Sequence, residues 1–398
     1  MKILHISTAD NAGAGMCCLR IHQSLLSMGV ESKMVVLHNM QHAPEEYQYG
    51  GALKDIKDML FRIPLKLLRM MGLPVTERNK IIALQKQYHT AYTLPVSPVD
   101  LTKCEWVDWA DIIHLHWVDN YLDYPSFFRK VKKPIVWTLH DEGFFYGIAH
   151  YSNSILKENE MECRYAHLKR KALSEVSNLN IVLLSEFMKQ KFENNDLLKE
   201  RRVRVINNMV DTNQFRPFLK KQSRKKFGFE DCDVVFAFTA MDIGEERKGL
   251  AMLSKIIMEI DDSHLKILAI GKNSYNVMYS NVVSIGKMMG AEAVSEALSA
   301  ADYYAMPSSQ EAFAQSPMEA MACGLPVVVF PVSGTSELVN ESNGVICDDF
   351  TPEALKHGIE TLMSRHYDPA KIRQDMINRF SPKAIAEKYI ELYKEVLA

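Results

Sequence analysis

The sequence predicts an α/β protein made of two doubly wound units in tandem. Short apolar runs alternate with helical patterns along both halves, and the alternation lapses around Phe215–Arg224, where the charge turns basic. Length agrees: 398 residues amount to roughly two to three domains at ~150 residues each. Hydrophobic residues make up 47% and charged residues 24%, which supplies two cores and excludes disorder or a disulfide-stapled mini-scaffold. With 47 Lys and Arg against 49 Asp and Glu, the net charge of −2 carries no global footprint of a nucleic-acid binder.

Lys2–Ile6 reads as the first strand, not as a signal peptide. A loop with Gly13 and Gly15 follows, then a helix around Cys17–Ser27 stopped by Gly29, then the strand Ser32–Leu37. Such a strand–helix–strand unit predicts a parallel sheet covered on its faces. Ile112–Leu115, Ile135–Leu139, Ile181–Leu184 and Val203–Ile206 are the further strands of this half. Residues 53–71 break the alternation with five basic residues against two acidic ones. Their basic side chains share one half of a helical wheel and their apolar ones the other. That pattern suits either an anionic membrane surface or the cover of the domain's own core.

The joint is placed near residue 215, giving an N-terminal domain over 1–215 and a C-terminal domain over 216–380. The second series runs strand Val234–Phe238, helix Gly249–Met258, and strands Leu265–Ile270 and Val282–Ile285. Helix Ala291–Ala300, strand Tyr303–Met306, helix Pro317–Cys323 and strand Val327–Phe330 follow. Helices near Pro352–Ser364, Pro369–Arg379 and Pro382–Leu397 close the chain, with Ser381 as the cap of the last. The stretch 381–398 is expected to pack back on the first domain. The longest uncharged stretch, 320–336, is broken by Gly324, Pro326, Pro331 and Gly334, so it is no transmembrane helix. Seven cysteines without CxxC pairing read as reduced thiols of a cytoplasmic protein, with no zinc framework.

Architecture of this kind binds nucleotides at the carboxyl ends of its strands. The dinucleotide fingerprint is nevertheless incomplete. Gly13-x-Gly15 is followed by Cys18 at the third position, and the second strand ends Val36-Leu37-His38-Asn39 without an acid. No nicotinamide or flavin is expected, and no other cofactor. Gly13 and Gly15 either let the loop approach a phosphate or form a plain tight turn. The most informative segment starts at Ser308 and carries Glu311, a helix start near Pro317, and Glu319 one turn in. A helix start favours anions such as a diphosphate, and Glu319 could receive a ribose. Ser316-x-x-Glu319 equally forms a capping box that would use Glu319 within the helix. Spacing alone leaves the two readings level.

The Glu311-x7-Glu319 spacing, followed by AMACGLPVV over 320–328, resembles the signature of retaining glycosyltransferases of family 4, of the polysaccharide-building type. DIIHLHW over 111–117, PIVWTLHD over 134–141, RVINNMVD over 204–211 and ERKG over 246–249 extend the likeness over most of the chain. The resemblance implies a GT-B fold, two Rossmann-like domains facing across a cleft, and a transferase that needs no metal. By the same resemblance Lys248, helped by Arg247, neutralises the leaving diphosphate, and Glu311 bonds the donor sugar. The backbone at Phe313 and Ala314, together with Gly13, meets the donor, and Glu319 holds the ribose. His140 is the active-site histidine, with His116 and Asp141 on the acceptor side. His114 and His116 alternate along one strand, so one is expected in the core and the other at the cleft. Departures are Ala12 in the usual double-glycine loop, Asn207 and Met209 in the "PNG" stretch, and the absence of the usual arginine several residues before Lys248, where Asp242 and Ile243 stand.

The implied reaction moves a sugar from a UDP- or GDP-type donor to a growing glycan, on a lipid carrier, in surface polysaccharide assembly. The implied location is the cytoplasm, peripheral on the plasma membrane's inner face. Two rivals of other classes are a nucleotide-sugar epimerase on the same fold and a glycan-binding protein without catalysis.

Overall fold

A computed structural model describes residues 1–50, 76–88, 91–151, 159–174, 176–260, 262–311 and 313–398. The amphipathic stretch 53–71 lies outside the described residues. Two compact units emerge, the first made of residues 1–184, 189–206 and 389–398, the second of 185–188 and 207–388.

In the first unit seven strands run parallel: β1 Lys2–Ala9, β2 Glu31–His38, β3 Glu46–Gln48, β4 Ile112–Leu115, β5 Ile135–Leu139, β6 Leu179–Leu183 and β7 Val203–Val205. Their order is β3-β2-β1-β4-β5-β6-β7, so the direction of winding reverses between β1 and β4. Strand β4 is buried at every position, as a central parallel strand covered on both faces must be. The final helix, Pro382–Leu397, belongs to this unit from Tyr389 onward. Tyr393 Oη meets His114 Nδ1 at 2.7 Å, Tyr389 Oη meets Thr138 Oγ1 at 3.0 Å, and Arg204 grips both carboxylate oxygens of Glu395. Ser381 Oγ accepts from Ala384 N at 3.4 Å, the cap its sequence announces.

Two expectations of this half are corrected. The first helix spans Ala12–Ser27, so Gly13 and Gly15 stand in its opening turn and not in a preceding loop. A Cβ on Gly15 would fall 2.5 Å from the Ala9 carbonyl oxygen, whereas one on Gly13 would meet open space. Glycine at 15 thus serves the tight passage from strand to helix. Secondly, His114 and His116 are both buried and lie ring to ring, centroids 4.1 Å apart, because residues two apart along a strand share one face.

In the second unit the strands are β8 Val234–Asp242, β9 Leu265–Lys272, β10 Val282–Ser284, β11 Tyr303–Met306, β12 Val327–Val329 and β13 Gly344–Ile346. They are parallel in the order β10-β9-β8-β11-β12-β13, and the winding reverses between β8 and β11. Helix Leu250–Glu259 buries Leu250, Leu253, Ile256 and Ile257, the i, i+3 and i+4 pattern of a core-facing stripe. The basic stretch near 220 is a helix, Lys220–Phe227. Its buried Arg224 donates to the carbonyls of Ala300, Glu230, Asp231 and Asp233 and to Asp302. The charge of Arg224 is spent on joining elements, while Lys220, Lys221, Lys225 and Lys226 stay exposed. Among the described residues no helix is long and apolar enough to cross a membrane.

Candidate active site

The reversal between β8 and β11 is where a doubly wound sheet opens a crevice at its carboxyl edge. Glu246–Lys248, a 3-10 turn, follows β8, and the loop carrying Glu311 follows β11. Gly249 closes the turn at φ +81°, and a Cβ there would fall 2.3 Å from the Pro307 carbonyl oxygen. Only a residue without a side chain lets the two loops approach this closely. Arg247 O then accepts from Ser309 N at 2.9 Å, and Arg247 Nη1 donates to Gln310 O at 3.1 Å. So zipped, the loops place the Lys248 ammonium on the Glu311 carboxylate, with Arg247 Nη1 3.6 Å from the same oxygen. Arg247 Nε also donates to Glu245 Oε1 at 2.6 Å.

Beyond Glu311 the chain enters helix Gln315–Ala322 through Ala314, with no side-chain cap and no acid in the first turn. The positive end of this helix is therefore uncompensated by a capping side chain among the described residues. Because Ala314 is the cap residue, Ser316 lies inside the helix. The capping-box alternative for Glu319 is not formed. Asn208 Nδ2 donates to Phe313 O at 3.2 Å, and Ala314 N donates to Thr335 Oγ1 at 3.3 Å, so both residues' backbones are anchored within the unit. Glu319 is half-buried one turn into the helix.

In the first unit the carboxyl ends of β4 and β5 carry His116 and His140, whose Nδ1 and Nε2 atoms lie 3.1 Å apart. His116 Nε2 in turn lies 3.0 Å from His5 Nδ1, on β1. Burial keeps all three imidazoles below their ordinary range, His140 to about 4, and neighbouring histidines add to the effect at His5 and His116. All three are neutral at pH 7. Asp141 faces a different network. Its carboxylate accepts from Trp117 Nε1 at 3.1 Å, Gly143 N at 2.8 Å and His150 Nδ1 at 2.6 Å. Burial opposes ionisation of both partners, but their pairing prevails, so Asp141 is held below its usual range and His150 above. The buried Lys169 donates to Gly143 O at 2.7 Å and completes this charged core.

Two ligand-like groupings overlap these residues, Asp119 with Asp141 and His150, and His5 with Cys18 and His116. A third, Cys232 with Asp233 and His264, lies elsewhere. In the first, Asp141 and His150 already satisfy one another.

Residues 233–365, which hold Lys248, Glu311 and Glu319, match the family described as glycosyl transferases group 1. That segment, a third of the chain, is similar to a glycosyltransferase group 1 domain. An uncharacterized glycosyltransferase of Methanocaldococcus jannaschii is 24% identical over 309 residues, covering 72% of this chain and 76% of that one. The solved structure of sucrose-phosphate synthase from Thermosynechococcus elongatus superposes with a TM-score of 0.68 at 16% identity, covering 100% and 99% of the two chains. Anabaena HepE, in complex with UDP and glucose, gives 0.66 at 16% identity, covering 99% of each. At such identities the likeness speaks for the fold, which is GT-B.

Within the second unit the structure brings Lys248, Arg247 and Glu311 into one cluster and sets the helix of Glu319 directly after it. Within the first unit it brings His116 and His140 together, turns Asp141 toward His150, and leaves Gly13 exposed in the opening turn of its helix. Sequence reasoning passed over His5, His150, Asn208 and Thr335. His5 and His150 are single histidines whose partners lie on other strands and loops. Asn208 stands in the RVINNMVD stretch without a role given to it there, and Thr335 acts through one hydrogen bond, which leaves no pattern in a sequence.

Proposed function

We propose that the protein is a retaining glycosyltransferase that moves a sugar from a nucleoside-diphosphate donor, UDP or GDP in type, to a growing glycan. One observation carries the reading: a lysine, an arginine and a carboxylate converge at the strand-order reversal of the second unit, beside an uncapped helix start. In this reading Lys248, Arg247 and the helix amides take the diphosphate, Glu311 takes sugar hydroxyls, and Glu319 takes the ribose. The bond from the anomeric carbon to the diphosphate oxygen breaks as a bond to the acceptor oxygen forms on the same face. The acceptor's proton passes to the leaving diphosphate. Negative charge grows on that leaving group, so preorganised cations lower the barrier there. His140 borders the reacting sugar, with His116 and Asp141 behind it on the acceptor side, and Gly13 admits the donor at its helix start. No metal enters this scheme.

The two units are read as an acceptor domain and a donor domain. The acceptor is read as a lipid-linked glycan in surface polysaccharide assembly, met at the inner face of the membrane. HepE, of the same fold, is seen with UDP and glucose, which supports a nucleotide-sugar donor here. Thermal melting against UDP, GDP and ADP tests the donor assignment, because a ligand that binds only the folded state raises the melting temperature by mass action. One of the three should raise it in a dose-dependent way, and the same nucleotide should be released when its sugar conjugate is supplied with a glycan acceptor. Failure of all three to shift the transition overturns the reading.

A further inference from the structure

His5, His116 and His140 form a continuous chain of imidazoles in the first unit, joined Nδ1 to Nε2 at 3.0 Å and Nδ1 to Nε2 at 3.1 Å. A neutral imidazole carries one proton, so one nitrogen donates and the other accepts. Each bond of the chain needs one of each, and the rings cannot be set independently. Either every ring is protonated at Nδ1 or every ring is protonated at Nε2. His114 stands outside this coupling although its ring centroid lies 4.1 Å from that of His116. Its two nitrogens go to the hydroxyls of Tyr393 and Thr138.

The blind end of the chain selects the setting. His5 is fully buried, and its Nε2 has no hydrogen-bond partner among the described residues. With all protons on Nε2, the core would hold an N–H donor with nothing to receive it. With all protons on Nδ1, the same atom presents only a lone pair. Orphaned buried N–H groups are the rarer case in folded proteins. We propose that His5 and His116 are positioning residues that hold His140 as its Nδ1–H tautomer, making it a hydrogen-bond donor to the sugar or its departing oxygen and not a base. The lone pair of His140, on Nε2, is taken by the N–H of His116. The assignment rests on the reading of His140 as an active-site residue, but the tautomer can be measured without any turnover.

Nitrogen-15 spectra of the labelled whole protein at pH 7.5 report which ring nitrogen of each histidine carries hydrogen, with His140→Asn, His116→Asn and His5→Asn assigning the signals. All three rings should show Nδ1–H. An Nε2–H signal from any of them, or the averaged signal of a freely exchanging imidazole, overturns the lock. His5→Leu removes the first donor and should let His140 drift toward Nε2–H. His5→Asn places an amide N–H where Nδ1–H stood and should keep it. Turnover should follow the tautomer: His5→Leu lowers kcat by about five- to tenfold, the weight of one hydrogen bond, with the donor KM unchanged. His5→Asn should regain the larger part of that loss. A fall of equal size in both variants would reduce His5 to packing. If His5→Leu does not fold, the wild-type spectrum alone still decides. If His140→Ala leaves transfer intact while the spectrum shows the lock, the functional reading fails and the tautomer assignment stands.

Discussion

The ammonium of Lys248 rests on the carboxylate of Glu311, 63 positions away in the chain. Both side chains are largely shielded, at 17% and 12% exposed, so the pair is more than a surface contact. The cation proposed for a diphosphate is thus already neutralised by the carboxylate proposed for the sugar. Donor binding would repartition the pair, the lysine turning to phosphate and the glutamate to hydroxyls.

Glu311→Gln should therefore separate two properties. Releasing Lys248 should tighten binding of the bare nucleoside diphosphate by up to about tenfold, or ~1.4 kcal/mol. Turnover with the complete donor should fall, because the sugar loses a charged acceptor. Calorimetry with the diphosphate, beside steady-state kinetics, reads both. Weaker diphosphate binding in the variant would mean that the pair does not compete with the donor.

Lys248→Ala should lower kcat more than it raises KM, since leaving-group charge develops chiefly in the transition state. Arg247 lies close enough to the same carboxylate to compensate in part. The double variant should be far worse than either single one. Unchanged turnover in the double variant would place the diphosphate elsewhere.

Gly249→Ala tests the seam that brings the two loops together. The residue sits at φ +81°, which costs a side-chain-bearing residue about 1–2 kcal/mol, and its Cβ would press on the Pro307 carbonyl. Melting should drop, and the donor KM should rise because Lys248 and Arg247 move with the turn. A variant that melts and binds like the parent would show that the seam yields without consequence.

Glu319→Ala should weaken nucleotide binding by about 1.5–3 kcal/mol. Since Ala314 and not Ser316 caps the helix, the variant loses no capping box. Lower stability with unchanged nucleotide affinity would return Glu319 to a purely structural role.

The two sheets were legible because strand and helix periods alternate strongly in both halves. Strand β3, Glu46-Tyr47-Gln48, offers no apolar run and β13 opens on Gly344, whereas the equally short β12 is three valines. Lys248 and Glu311 meet because β8 and β11 are spatial neighbours at the winding reversal, and their motifs had to be recognised before the distance between them shrank. His114 and His116 were set apart wrongly for a different reason: residues two apart on a strand share a face, so the two rings lie together and both are buried. His5 was invisible as a partner, since 111 residues separate it from His116 and only the β1–β4 pairing closes that interval.

Those buried histidines should make the first unit acid-labile, and the sign follows from linkage. His5, His22, His114 and His116 are held below the ordinary 6.5 chiefly by burial, and His140 is lowered to about 4. Below pH 6.5 the unfolded chain takes up protons that the folded unit refuses, in the case of His140 down to about 4. Stability is fully present above 6.5 and falls with pH, by up to about 1.4 kcal/mol per pH unit for each such group. His150 works the other way: its pKa is raised by Asp141 and Asp119, so its contribution is complete below 6.5 and fades only as pH rises through its folded value. Asp141, held below 3.8, keeps its contribution until still lower pH. Across pH 6.5 to 5 the neutral histidines therefore dominate. All four tryptophans, Trp106, Trp109, Trp117 and Trp137, lie in the first unit, so tryptophan fluorescence follows its melting selectively. The midpoint should fall by at least about 10 °C between pH 7 and pH 5. His114→Gln removes one titrating ring while keeping amide contacts for Tyr393 and Thr138, and should flatten the slope by about 1.4 kcal/mol per pH unit. A midpoint that stays level down to pH 5 in the parent would mean that these rings accept protons in the folded state, and the neutral histidine core would have to be abandoned.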